Sequence, residues 1–277
     1  MPEHKRIFIV VKTYPTISKE YAELVCTAGV LEDGSWIRLY PVPFRRLDFD
    51  QKYPKYSWID IDVVRNLSDF RPETYRPDLS TIRVEEKPKK VDWNERRKIL
   101  FKSQKIYTDL HELIDVARKQ GTSLATFKPT EVLEFVVKPV AREWDPDKRA
   151  ILENLSHQLN LLQSPQEIED EFKLVPKVPY EFSYKFVDSC GRQSTLMIED
   201  WEVGMLYFNC LKAADNDEHV AVAKVREKFF DEFRTKDLHF FLGTAKRYHN
   251  VAPNPFIIIG TFYPPMITPE QQLGFQI

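Results

Sequence analysis

At 277 residues, with 43% hydrophobic and 13% aromatic content, the chain can bury one large core or two smaller ones, which excludes a disordered polymer. Its 40 basic and 42 acidic residues leave a formal charge of −2, so any affinity for a polyanion has to come from a local patch. Cys26, Cys190 and Cys210 are odd in number and far apart, which fits reduced thiols in a cytoplasmic protein better than disulfides or a zinc site, and no run approaches the roughly 20 apolar residues that a bilayer requires.

In chain order, Ile7 to Val11 is an unbroken apolar run and reads as a buried strand ended by Tyr14-Pro15. A hairpin follows. Leu24, Cys26 and Ala28 alternate with Val25, Thr27 and Gly29, Asp33-Gly34 closes the turn, and Trp36, Arg38 and Tyr40 alternate with Ile37 and Leu39 on the return. Ile59, Ile61 and Val63 alternate with Trp58, Asp60 and Asp62 in a further half-buried strand, while NLSDFRPETYRPD from Asn66 has no period and reads as an ordered loop. Such short strands with turn signals between them predict a small barrel.

From Asp92 the apolar spacing becomes helical. One helix opens on an acidic N-cap and a second ends at Gly121, together a helical insertion over about 92–120. Glu131 to Lys138 is expected to return as the strand that closes the first barrel, and Asp147 to Gln163 is an amphipathic helix leading to the proline-flanked segment from Pro165 to Pro179. Beyond it, Tyr180–Asp188 and Arg192–Asp200 form a second hairpin, Trp201–Lys212 and Val220–Arg234 read as helices, and two strands, DLHFFLG and PFIIIGTFYP, complete a β-rich end. The expected fold is α+β: two small barrels with a helical insertion and a bridging helix. The units are a first barrel over 1–140, a bridge over 141–174 and a second barrel over 175–277.

The candidate binding face is aromatic and basic. Trp36, Arg38 and Tyr40 lie side by side on one strand face, followed by Phe44, Arg45 and Arg46, and the neighbouring loop adds Arg65, Arg71 and Arg76. Planar rings beside guanidinium groups stack bases and hold phosphates. Lys246, Arg247, Tyr248 and His249 form a basic loop between two later strands, where a barrel often grips phosphate. Asp48, Asp50, Asp69 and Glu73 lie close enough in sequence to neutralise several of these arginines.

Catalytic chemistry finds less support. Asp60 with Asp62, or Asp188 with Glu199 and Asp200, could hold a divalent cation for phosphodiester cleavage, but the spacings do not assemble a convergent set. His239 and His249 lack the spacing of a metal pair, and the eight glycines form neither a nucleophile elbow nor a phosphate-cradling loop. No cofactor is expected.

The stretch CTAGV followed by SWIRLYPVPFR resembles the prokaryotic dual-OB-domain proteins at Cys26, Ala28, Gly29, Trp36, Ile37 and Arg38. That resemblance implies two OB barrels and a non-enzymatic nucleic-acid or nucleotide module, an accessory or sensor component of a prokaryotic defence or nucleic-acid-processing system. The partners implied are DNA or RNA, and a separate effector protein, with no membrane. A metal-dependent nuclease and a protein-interaction scaffold are the alternatives.

Overall fold

The computed structural model describes residues 1–18, 22–85, 92–147, 150 and 175–266. The expected helix Asp147–Gln163 lies almost wholly outside them. In the first half, strands β1 (Glu3–Lys12), β2 (Thr16–Ser18), β3 (Ala22–Leu31), β4 (Trp36–Val42), β5 (Trp58–Arg65), β6 (Thr74–Pro77) and β7 (Arg83–Val84) follow in order. The β3–β4 turn is built as its sequence demands: Gly34 takes φ +88°, and Asp33 Oδ1 accepts from the Ser35 amide at 2.8 Å and hydroxyl at 2.6 Å.

Five of these strands close on themselves. β1 pairs with both β3 and β5, β3 with β4, and β5 with β6, all antiparallel, while β4 and β6 run parallel. Numbered by rank within the barrel, the order is 1-2-3-5-4-1, a closed OB-like barrel. The closing strand is Thr74–Pro77, within the stretch read from sequence as loop; Pro72 just before it, Pro77 at its end and a two-residue parallel pairing with β4 leave no strand period to see.

The second half repeats this order. It contains α1 (Trp93–Leu100), β8 (Ile106–Tyr107), α2 (Leu110–Gln120), β9 (Leu124–Phe127), β10 (Glu131–Pro139), β11 (Tyr180–Val187), β12 (Gln193–Met197), α3 (Trp201–Ala213), α4 (Glu218–Arg226), β13 (His239–Thr244) and β14 (Phe256–Phe262). Asp92, Asp109, Asp200 and Asp217 cap the four helices with their carboxylates, and Gly121 ends α2 in the left-handed region at φ +76°. β10 pairs with β11, β11 with β12, and β13 with β14 and β9. A parallel bridge between Ile198 and Ile258 joins the two sheets. With β9 and β10 as two halves of one strand broken at Lys128-Pro129-Thr130, the order is again OB-like.

Glu131–Lys138 therefore does not close the first barrel, and the stretch from Leu124 on belongs with the C-terminal strands. Its strand period was legible, but the sequence does not say which barrel it joins.

Each barrel has its own apolar interior: Ile7, Ile9, Val25, Ile37, Leu39, Ile59, Ile61 and Val63 in the first, and a larger set including Phe127, Phe182, Tyr184, Phe186, Tyr207, Val225, Phe240 and Ile258 in the second. A third cluster lies between them. Phe8, Val10, Val11, Ala28 and Val30 from the outer side of the first barrel pack with Leu100 of α1 and with Leu124, Phe241, Ile259 and Phe262 of the second. This explains the unbroken apolar run in β1: Ile7 and Ile9 face inward, Phe8 and Val10 face the other barrel, and both sides are buried. Gly29 is required here, since a Cβ would lie 2.4 Å from the Phe8 carbonyl oxygen on the paired strand.

Candidate nucleic-acid interface

The alternation in β4 is as expected, with Ile37 and Leu39 inward and Trp36, Arg38 and Tyr40 on the other face. That face, however, is turned to the second barrel. Trp36 is half-buried with its ring edge-on to Phe241 at 5.5 Å, and Arg38 is only 1% exposed. Arg38 donates from Nη1 to the Ser123 hydroxyl at 2.7 Å and to Thr74 Oγ1 at 3.1 Å, and from Nη2 to the Ser123 carbonyl at 3.0 Å. Burial pulls its guanidinium below its ordinary pKa, and nearby Arg71 adds to this. A side chain so enclosed cannot lie along a polymer.

The other expected residues divide in the same way. Phe44 is buried, edge-on to Tyr53 and Trp201 at 4.9 and 5.6 Å. Arg71 is buried and forks onto Asp69, with Nη2 at 2.6 Å and Nε at 2.9 Å, and also donates to the Thr244 carbonyl. Arg65 is spent on loop carbonyls, among them Arg71 O at 2.8 Å. Tyr40 and Arg45 are half-buried, while Arg46, Arg76, Lys246 and Arg247 are exposed. Asp69 thus neutralises Arg71, whereas Asp48, Asp50 and Glu73 pair with no arginine among the contacts described, and Glu73 accepts instead from the Ser123 amide and hydroxyl at 2.9 and 2.7 Å.

What the structure does bring together is two equivalent loops. The strand 4–5 loop of the first barrel, 66–73, meets that of the second, 245–255. Lys246 Nζ donates to the Ser68 carbonyl at 2.5 Å, Phe70 stands edge-on to the His249 ring at 5.3 Å, and Arg71 reaches Thr244. At their outer surface Phe70 and Tyr248 are each 50% exposed, flanked by Lys246 and Arg247. Phe70 was not among the sequence candidates. The signal was present: large aromatics in polar, proline-bearing loops have no strand or helix face to bury them.

Below these loops a cleft of about 230 Å³ opens between the barrels, with Leu24, Cys26, Arg38, Tyr40, Glu199 and Lys246 among its walls. Burial raises the Glu199 carboxyl above the usual range, with Glu181 adding to it.

Of the carboxylates considered for metal chemistry, all but Glu199 are engaged elsewhere. Asp60 and Asp62 bracket His4, at 3.5 and 2.9 Å, and raise its pKa, the Asp62 hydrogen bond most of all. Asp200 is buried against Lys55 Nζ at 3.3 Å, with Glu202 at 2.8 Å from the same ammonium; burial opposes the Lys55 charge, but the two carboxylates outweigh it. Among the described residues one trio, Asp109, His111 and Asp188, has metal-like spacing, but Arg192 bonds both carboxylates.

The chain matches two family models. One, described as Domain of unknown function (DUF8758), spans residues 3–102; the other, described as Domain of unknown function (DUF8757), spans residues 103–276 and so covers more than half of the protein. The chain belongs to the DUF8757 family. The junction between the two matches falls just after α1, ahead of every strand of the second barrel. No curated protein matches the chain. Among solved structures, one described as "Structure of murine DNA binding protein bound with ds DNA" aligns over 96% of this chain and 98% of its own at 8% identity, with a TM-score of 0.32. Overlap at that level informs neither fold nor ligand. No described helix is long and apolar enough to cross a membrane.

Proposed function

We propose that this is a non-catalytic nucleic-acid-binding protein that holds a single strand across its paired strand 4–5 loops. The observation that carries the reading is the meeting of those loops, which sets the exposed rings of Phe70 and Tyr248 beside Lys246 and Arg247. OB barrels bind oligonucleotides with the strand 2–3 face and the loops around it. In the first barrel that face is covered, so the loops and the cleft beneath them are the part of the site still open to a ligand. Aromatic–base stacking contributes about 1–3 kcal/mol per base, and the two cations supply the salt-dependent term. The resemblance to dual-OB proteins adds the wider setting: a cytoplasmic accessory or sensor component working beside a separate effector.

Fluorescence anisotropy with labelled single-stranded and duplex DNA and RNA, across a salt series, tests this. Lys246→Ala and Arg247→Ala are each expected to lower the salt slope by about 1, whereas Tyr248→Ala weakens binding with the slope unchanged. If no strand binds at low salt, the reading is wrong.

A further inference from the structure

The second barrel has a strand 2–3 face of its own, built from β11 and β12, and it carries an unusual pair of acids. The register that pairs Ser183 with Met197 continues through the Ile198 amide, which donates to the Phe182 carbonyl at 2.8 Å, and so sets Glu181 opposite Glu199. Like charges in that position repel one another. Both side chains are half-buried, yet among the described residues neither carboxylate accepts a hydrogen bond or joins an ion pair. Burial, and Glu181 after it, holds the Glu199 carboxyl above its usual range, and none of the cations of the inter-barrel cleft, which Glu199 also borders, offsets them.

A second cavity, of about 340 Å³, has both acids in its wall. The rings of Tyr14, Trp144 and Tyr180 line it with Val178 and Met197, all of them half-buried. The polar ends of the rings are already spent: the Tyr14 hydroxyl donates to the Pro176 carbonyl at 2.7 Å, Trp144 Nε1 to the Val175 carbonyl at 2.9 Å, and the Tyr180 hydroxyl to Glu218 at 2.7 Å. Among the described residues the wall's single cation is Lys177, whose ammonium is turned to the Ala141 and Glu143 carbonyls. Lys138, in register with Glu181 on β10, is exposed and forms no ion pair with it, and the third acid of the wall, Asp200, is held by Lys55. The polar groups left to a ligand are therefore the two facing carboxylates.

An anion would meet those carboxylates without compensation, and a hydrated divalent ion would leave the rings and Met197 without a partner. An ammonium group answers both walls: it donates N–H bonds to carboxylates and lies favourably against ring faces, while the hydrocarbon it is attached to covers the aliphatic side chains. The volume is that of a small-molecule pocket, not of a groove for a strand. We propose that this cavity binds an organic amine, with its ammonium at Glu181 and Glu199 and its hydrocarbon part among Tyr14, Trp144 and Tyr180. The amine is either a free small molecule or the lysine side chain of a peptide, and the proposal stands apart from strand binding at the loops.

Isothermal titration calorimetry tests it with three probes of one shape and different charge: phenethylamine, phenethyl alcohol and phenylacetate. The amine is expected to bind about 10-fold more tightly than the alcohol, and phenylacetate not at all. Glu181→Gln and Glu199→Gln each weaken the amine by about 10-fold and leave the alcohol unchanged, whereas Glu131→Gln, at an exposed acid of the same barrel, alters neither. Both site variants are expected to melt no lower than the parent, because each removes one of two facing, unpaired carboxylates, so a loss of binding is not a loss of fold. A capped lysine, Nα-acetyl-lysine methylamide, that competes as strongly as phenethylamine assigns the site to a peptide; one that fails to compete assigns it to a free amine. Equal affinity for the three probes, no binding of the amine at millimolar concentration, or amine binding that survives in the Glu181→Gln, Glu199→Gln double variant overturns the proposal. Displacement of the amine by calcium at equal concentration overturns it in favour of a metal site.

Discussion

The two barrels have the same strand order and treat the charges of one equivalent loop in opposite ways. In the first, the loop between the fourth and fifth strands turns its arginines inward: Arg65 caps its own carbonyls, and Arg71 forks onto Asp69 and reaches across to Thr244. In the second, Lys246, Arg247 and Tyr248 stand in solvent. Counting arginines in sequence therefore overstates the charge available to a ligand in one loop and describes it fairly in the other. The helices separate the barrels further. The first joins its third and fourth strands with two short 3₁₀ turns, Phe44–Arg46 and Phe49–Gln51, whereas the second uses α3 and α4 and plugs its interior with Tyr207, Val225, Phe229 and Phe233.

The largest effect is expected from breaking the interior of the first barrel. Ile61 is fully buried, and Ile61→Asp places an unpaired carboxylate there at a cost of several kcal/mol. Because Phe8, Val10 and Val11 pack against Phe241, Ile259 and Phe262, the loss is expected to spread through the seam, so that thermal melts followed by far-ultraviolet dichroism and by tryptophan fluorescence shift together. A second barrel that keeps its own unshifted transition would show that the seam does not couple them.

The loop comparison is sharpened by two arginine substitutions. Arg71→Ala leaves Asp69, 4% exposed, without its partner and is expected to cost about 3–5 kcal/mol. Arg247→Ala, at the exposed counterpart, is expected to change stability by less than about 0.5 kcal/mol. Chemical denaturation measures both, and similar values would erase the distinction between the loops.

Acid sensitivity should belong to the second barrel. Burial pushes His239 down to about 4 from 6.5, with Asp237 opposing, and His249 is lowered too, by burial first and by Arg71 next. Between pH 6.5 and 4 the unfolded chain binds a proton that folded His239 refuses, so stability falls as the pH drops, by up to about 3 kcal/mol from this group. His4 in the first barrel has the opposite sign, raised by Asp62 and exposed. Denaturant titrations at pH 7 and pH 4.5 should show a loss that His239→Gln reduces; an unchanged loss would mean that another group titrates.

Much of the fold was legible because local patterns set it. The hairpin at Asp33-Gly34, the N-cap at Asp92, the stop at Gly121 and the alternation of Ile59, Ile61 and Val63 all follow from neighbours along the chain. The closing strand Thr74–Pro77 and the assignment of Glu131–Pro139 were not, because each is defined by what it pairs with far away. That the face holding Trp36 and Arg38 is covered was not read, for a related reason. β3 carries Leu24 and Ala28 on the side opposite Val25, and β1 is apolar throughout; apolar residues on both faces announce a sheet covered on both sides, so the face holding Trp36 and Arg38 had to meet a second layer. The exposure of Lys246 and Arg247 was legible because a basic turn between two strands needs no tertiary context to be exposed.

A smaller stability effect than that of Arg71→Ala is expected at Gly29. Gly29→Ala brings a Cβ against the Phe8 backbone, and the paired strands must part, at about 1–3 kcal/mol, seen as a lowered melting temperature with ligand binding retained. An unchanged melting temperature would show that β1 and β3 tolerate the added carbon.

The central claim is that the paired loops, and not the buried Trp36–Arg38 face, form the surface that meets a strand. Ultraviolet crosslinking to a single-stranded oligonucleotide, with the crosslinked peptides sequenced by mass spectrometry, tests it most directly. Crosslinks at Phe70 and Tyr248, lost at high salt and in the Lys246→Ala, Arg247→Ala double variant, are the result expected. Crosslinks confined to other exposed aromatics, or the same yield at Tyr248 in the double variant, would contradict it.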